Sequence, residues 1–127
     1  MIKLTFCLRR LPSFTLEEFQ DYWLNKHGPL VASHREALRI QRYVQLHSGD
    51  PAMAEALRAV RAGGIENAPE IYDGVAQLWW ANAEDLAAIG TEPDAIEAGR
   101  ALLEDEQKFI DLANSPLWFG EEKVIFG

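Results

Sequence analysis

The chain has 127 residues, 48% hydrophobic and 25% charged, the size and composition of one globular domain over residues 1–127 and neither disordered nor fibrous. Twelve Lys and Arg against 20 Asp and Glu give a formal net charge of −8, which leaves no basic footprint for nucleic acid or an anionic membrane. One cysteine, Cys7, excludes an intrachain disulfide or a multi-thiolate zinc site, no apolar run reaches the ~20 residues of a membrane span, and the opening MIKLTFCLRR lacks a signal-peptide pattern, so the cytoplasm is the expected compartment.

Ile2, Leu4, Phe6 and Leu8 alternate with Lys3, Thr5, Cys7 and Arg9, the period of two of a strand with one apolar face. Pro12 and Ser13 end it. Thr15 stands at an N-cap position with Glu18 three residues later, the pattern of a capping box. Leu16, Phe19 and Trp23 then recur at helical spacing, with Tyr22 beside them. Gly28 and Pro29 are expected to interrupt this helix, and Pro29 suits the opening of a second short piece over 30–37, where its missing N–H costs nothing. Residues 39–48 alternate again: Ile40, Arg42, Val44 and Leu46 fall on one face, and Gln41, Tyr43, Gln45 and His47 on the other. Ser48-Gly49-Asp50-Pro51 is a turn signal with Asp50 as N-cap. A helix is predicted over 52–62, stopped by Gly63-Gly64, with a loop over 66–72.

Residues 73–81 form a third predicted strand, with Val75, Gln77 and Trp79 on one side and Ala76, Leu78 and Trp80 on the other. Apolar on nearly every position, it is expected to be covered on both faces. Asn82 suits the N-cap of a helix from Ala83 that Gly90 interrupts and Thr91-Glu92-Pro93 restarts. Ile96, Leu102, Leu103, Phe109, Ile110 and Leu112 supply its apolar positions. Residues 115–122 read as a loop carrying Trp118 and Phe119, and 123–126 as a short strand.

The order strand, helix, strand, strand, helix, strand predicts an α+β, ferredoxin-like βαββαβ fold, an antiparallel sheet with its main helices on one face. If the helices cover Ile2, Leu4, Phe6, Leu8, Ile40, Val44, Leu46, Ala76, Leu78 and Trp80, the other face carries Thr5, Cys7, Tyr43, Gln45, His47, Asp73, Val75, Gln77 and Trp79. That mixture of apolar bulk and polar handles suits a small-molecule pocket, or a sheet packed on a second subunit around a cavity. It predicts a homodimer whose sheets face each other. A plain protein interface without ligand is the alternative.

Three segments carry a family resemblance. Phe19 to Leu30, FQDYWLNKHGPL, resembles the aromatic-rich helix and His-x-Pro-Leu motif of EthD-domain proteins. Asp73 to Trp80, DGVAQLWW, resembles their third strand, and DEQKFIDL at 105–112 with SPLWFGEE at 115–122 their C-terminal signature. The resemblance spans nearly the whole chain and implies the dimeric α+β barrel fold. Its implications for chemistry are diffuse, since related barrels include lactone isomerases, aromatic cyclases, decarboxylases or dehydratases and cofactor-free monooxygenases.

His27 is the foremost candidate for chemistry. It ends the first helix, its imidazole titrates near neutrality, and its position resembles that of an acid–base histidine in related lactone isomerases. A structural histidine holding the chain reversal is the alternative. Tyr43 and His47, four residues apart on one strand and so roughly 13 Å apart, suit orienting a carbonyl or phenolate and serving as a second acid or base. Asp73 and Gln77 suit orienting a substrate or a histidine, with a strand-start role for Asp73 as the alternative. Thr5, Cys7, Gln77, Trp79, Trp23 and Trp118 are the expected ligand contacts, with core or interface roles open for the tryptophans. Nothing in the sequence marks a lowered thiol pKa at Cys7.

No metal site is expected, because Pro29 separates His27 from His34 and no third ligand follows. Glu104, Asp105 and Glu106 read as a solvated face, with Glu106 the one placed to turn inward. Neither a phosphate loop nor a nucleophile elbow is present, Gly63-Gly64 having no Lys-Ser/Thr after it. No cofactor is therefore expected. The resulting expectation is a small apolar, oxygenated metabolite and cofactor-independent proton transfer by His27. A non-catalytic carrier or accessory protein of an oxygenase pathway, and a cofactor-free oxidoreductase, are the alternatives.

Overall fold

A computed structural model describes residues 1–61 and 68–127. The predicted stop at Gly63-Gly64 and the first residues of the loop from 66 lie outside the described residues. Strand β1 (Ile2–Leu8) leads to helix α1 (Leu16–Tyr22), which starts at the expected capping box. The Glu18 N–H donates to Thr15 Oγ1 at 3.1 Å, and the Thr15 N–H donates to Glu18 Oε1 at 2.9 Å. The helix is not interrupted at Gly28-Pro29. A π-helical turn, Trp23–His27, carries it into α2 (Gly28–Ser33). Proline has no N–H to continue the α-helical ladder. The chain takes up the defect as a π-bulge, in which the Gly28 N–H reaches back five residues to Trp23 O. The bulge holds both Trp23 and His27 buried. Helix α2 ends at Ser33, short of the predicted 37.

Strand β2 (Arg42–His47) is followed by a 3₁₀ turn (Pro51–Ala54), capped by Asp50 as expected, and a short helix α3 (Glu55–Ala59) with no buried residue. Strand β3 (Gly74–Trp80) leads to α4 (Ala83–Ala87), whose cap Asn82 accepts from the Asp85 N–H. Helix α5 (Pro93–Glu106) restarts after Gly90, where Pro93 occupies the first turn. The fourth strand corrects the sequence reading. Strand β4 is Leu117–Gly120, within the segment predicted as a loop, and residues 123–126 are not a strand. Gly120 already pairs with Lys3.

The sheet order is β2-β3-β1-β4, every neighbouring pair antiparallel, the α+β ferredoxin-like arrangement. Leu4 faces Leu78 and Phe6 faces Ala76 across β1 and β3, which places the expected apolar side chains under the helices. The parity of β2 is the reverse of the prediction. Tyr43 pairs with Leu78, Gln45 with Ala76 and His47 with Gly74. Tyr43, Gln45 and His47 therefore share the helix-covered face, and Arg42, Val44 and Leu46 lie opposite with Thr5, Cys7, Val75, Gln77 and Trp79. The polar groups on the covered face are satisfied there. Gln45 Nε2 donates to Trp23 O at 2.9 Å, and the His47 ring stacks on Trp23 at 4.6 Å.

Two apolar clusters form the core beneath the helices. One gathers Phe6, Leu8, Phe19, Trp23, Phe109 and Ile110; the other gathers Val31, Leu38, Ile40, Trp80, Ala95 and Ala98. Gly74 determines how closely Trp23 approaches the sheet. A Cβ at this position would lie 2.4 Å from Trp23 Cζ3 and 2.8 Å from Leu46 O, so only glycine allows the indole to lie on the strand.

Candidate functional site

Where the two apolar clusters meet, between sheet and helices, lies a cavity of about 280 Å³. Its walls are Leu4, Leu78, Trp80, Leu102, Phe119 and similar side chains; among the described residues, His27, Tyr43 and Glu106 are the titratable groups that reach it. A mostly apolar hollow with few convergent polar groups is the usual form of a small-molecule site.

His27 comes from the π-turn and is 6% exposed. Its Nδ1 lies 2.7 Å from Asp105 Oδ2, and the Tyr22 hydroxyl donates to Asp105 Oδ1 at 2.6 Å. Lys108 Nζ stands 3.6 Å from the same oxygen. Burial drives the Asp105 pKa upward, but the bonds from Tyr22 and His27 and the charges beside it hold the carboxyl below its ordinary value. Burial lowers the His27 pKa, and the Asp105 carboxylate only partly opposes that. Near neutral pH the pair is thus a carboxylate and a neutral imidazole. An ionised carboxylate only accepts, so the His27 proton sits on Nδ1 and Nε2 carries a free lone pair. This is the arrangement of a general base oriented by an acid behind it. Burial, first, and the bond to Asp105 push the Tyr22 hydroxyl up to about 12, which keeps it a donor.

Tyr43 enters the cavity from β2, and burial raises its hydroxyl to about 12. On its other side, with Gln45 and His47, it borders an open groove. His47 Nε2 meets Gln45 Oε1 at 2.8 Å, and Gln45 Nε2 donates to the Tyr43 hydroxyl oxygen at 2.7 Å. His47 thus stands outside the cavity, joined to it through Gln45. Glu106, the last residue of α5, faces inward; burial and the adjacent Asp105 charge raise its carboxyl to about 7.

The other expected contacts lie elsewhere. Thr5, Cys7, Gln77, Trp79 and Trp118 are on the opposite face of the sheet, because the reversed parity of β2 separates them from Tyr43 and His47. Lys3 and Arg42 each lie 4.8 Å from the Trp79 ring centroid, and its indole N–H donates to Glu122. Cys7 is buried, and burial raises its thiol pKa, which disfavours the thiolate. Trp23 does line the cavity. Asp73 is engaged at the sheet's end: its Oδ2 accepts the Arg10 backbone N–H at 2.7 Å and its Oδ1 pairs with the Arg10 guanidinium. Asp73→Ala is expected to cost about 1–2 kcal/mol of stability, because the orphaned backbone donor matters more than a half-exposed ion pair. Urea titration measures this, with the His27–Asp105 pair unaffected.

The sequence reading missed Asp105. The inward stripe of α5 and its continuation runs Ala98, Leu102, Asp105, Phe109. That spacing of four, three and four puts the carboxylate on the apolar side of the helix, a signal obscured by its acidic neighbours. Among the described residues no three His, Cys, Asp or Glu side chains gather as metal ligands would. No helix among them is long and apolar enough to cross a membrane.

Residues 11–113 match the EthD domain. No curated protein matches the sequence. A solved ethyl tert-butyl ether D (EthD) family protein from Bacillus halodurans is similar, at 17% identity and a TM-score of 0.58, over 97% of this chain and 100% of that one. An EthD-like protein from Ralstonia eutropha also has 17% identity and a TM-score of 0.58, over 98% and 94%. A dimeric protein of unknown function and ferredoxin-like fold from Bacteroides fragilis has 11% identity and a TM-score of 0.57, over 95% of each chain.

Proposed function

The chain belongs to the EthD domain family, and from that premise we propose that it binds a small apolar, oxygen-bearing metabolite between sheet and helices and moves a proton on it without a cofactor. The observation that carries this reading is the Tyr22–Asp105–His27 chain, buried at Asp105 and His27, which leaves Nε2 of a cavity-lining imidazole as a base. The classes of reaction in keeping with it are isomerisation, cyclisation, dehydration and decarboxylation, each of which needs a proton taken or returned. The test is deuterium uptake from D₂O beside the carbonyl of small apolar ketones, followed by NMR. Protein-dependent exchange supports the proposal. Saturable binding of the same compounds without exchange makes the protein a carrier, and oxygen consumption with a phenol makes it a cofactor-free oxidoreductase.

The protein acts as a homodimer in this reading. Leu46 and Trp118 lie 54% and 53% exposed on the sheet face that no helix among the described residues covers, and the Bacteroides fragilis protein of similar fold is described as dimeric. Burying such a face is favourable by roughly 25 cal/mol per Å² of apolar surface. Sedimentation is expected to find a dimer, and Trp118→Glu to shift it towards monomer while leaving the fold intact. A monomeric wild type contradicts this arrangement.

A further inference from the structure

The hydrogen bonds along β2 have a direction. Gln45 Nε2 has two hydrogens; one goes to Trp23 O at 2.9 Å and the other to the Tyr43 oxygen at 2.7 Å. The reverse setting of the amide would put Oε1 against the Trp23 carbonyl, acceptor against acceptor. His47 Nε2 donates to the remaining atom, Gln45 Oε1, at 2.8 Å. Tyr43 therefore already receives a bond, and its own hydroxyl proton has no acceptor among the described residues. Tyr43 borders the cavity, and an acceptor placed there would take that proton.

Glu106 meets the same cavity from the end of α5. Its carboxyl has no hydrogen-bond or ion-pair partner among the described residues; the neighbouring Lys108 pairs with Asp105 instead. Kept partly protonated near neutrality, it is a second donor. Among the described residues no lysine or arginine lines the cavity, and the Asp105 carboxylate lies directly behind His27. A carboxylate or phosphate ligand would enter without a counter-charge and against a negative field, at high desolvation cost.

We infer that the cavity takes an uncharged carbonyl compound of mainly hydrocarbon build, a ketone or lactone, whose oxygen is received by the Tyr43 hydroxyl and the Glu106 carboxyl, with His27 serving the adjacent C–H. This deepens the proposed function and rests on its placing of the site. In the step it implies, His27 Nε2 takes the α-proton, and the C–H pair becomes the C=C of an enol. The carbonyl π pair moves to oxygen, which takes the proton of Glu106. One proton is gained and one lost, and no electrons leave the ligand. Two donors aimed at an oxygen where charge develops are the usual electrostatic device for such a step. Gln45 and His47 are positioning residues, acting through Tyr43.

The test titrates the purified protein with acetophenone and with benzoate, its anionic counterpart of similar size, following the fluorescence of the cavity tryptophans. Acetophenone is expected to bind at least about tenfold tighter than benzoate, and Tyr43→Phe and Glu106→Leu each to weaken it by about tenfold. Glu106→Gln, whose amide also donates, should retain most of the affinity. The infrared carbonyl stretch of bound acetophenone should fall to lower frequency, and less so in Tyr43→Phe. No saturable acetophenone binding, equal affinity for benzoate, or full affinity in Glu106→Leu overturns the inference. Binding through Tyr43 and Glu106 without proton exchange would end the catalytic reading and the step drawn from it, and leave the carbonyl-binding site standing; exchange without this carbonyl preference would do the reverse.

Discussion

His27→Ala should slow proton exchange on a bound ketone by about 10²–10⁴-fold, the range that a positioned general base contributes. Its fold should survive, because Asp105 keeps the Tyr22 hydroxyl at 2.6 Å and Lys108 at 3.6 Å and is not left as an orphaned charge. Asp105→Asn should also lose at least about 10²-fold, for a different reason. The amide can present its NH₂ to Nδ1, which favours the tautomer with the proton on Nε2 and removes the free lone pair. Exchange should rise with pH through the His27 titration. Burial sets that below the ordinary 6.5, so the base form should persist into mildly acid solution. Glu106 bounds the alkaline side, because the ligand needs its proton and that carboxyl titrates at about 7. Among the described residues, Asp105 stands against His27 and beside Glu106, and Tyr43 lines the cavity with both. Stability follows the same two groups with opposite signs. The unfolded chain protonates His27 more readily than the folded one, so this contribution is lost as pH falls below 6.5. The folded chain holds the Glu106 proton more tightly, so its contribution is lost as pH rises from 4.5 towards about 7. Unchanged exchange in His27→Ala, with circular dichroism like that of the wild type, refutes the assignment.

Trp23→Ala should destabilise the protein by about 3–5 kcal/mol, the usual cost of emptying a large buried aromatic site. Trp23 is fully buried, packs on Phe19 at 5.7 Å and stacks on His47 at 4.6 Å. The backbone carbonyl that receives Gln45 is kept in the variant, so the loss falls on the core and on the stack with His47. Gly74→Ala acts on the same contact from the other side. Its Cβ would meet the indole at 2.4 Å and the Leu46 carbonyl at 2.8 Å, and overpacking of this kind costs about 1–3 kcal/mol. The two effects should couple: Gly74→Ala should cost less in a Trp23→Leu background, because one of its two clashes is gone. Denaturant midpoints of the four proteins measure the coupling. Strict additivity would mean that the indole does not rest on the strand.

What was legible in the sequence follows from the range of the forces involved. The capping box at Thr15, the caps Asp50 and Asn82 and the restart at Pro93 depend on neighbours within a few residues, and all four appear as expected. The apolar faces of β1 and β3 follow from period-two alternation, and the order of elements from these pieces. The EthD resemblance agrees with the matched span. Strand β2 was misread because its alternation is ambiguous. Val44 and Leu46 suggest the core, yet Trp23 supplies partners to Gln45 and His47, and so the polar side faces the helices.

The sequence alone thus determined the first three strands, the helix starts, the order of elements, the net negative charge and His27 as the residue to examine, because local sterics and hydrophobic periodicity act along the chain. Only the tertiary structure decided which face of β2 is covered, that Trp118 lies in the fourth strand, and that Asp105 lies behind His27 across a separation of 78 residues. Those outcomes depend on which donor meets which acceptor once distant segments pack, and a buried polar group is stable only where a partner satisfies it.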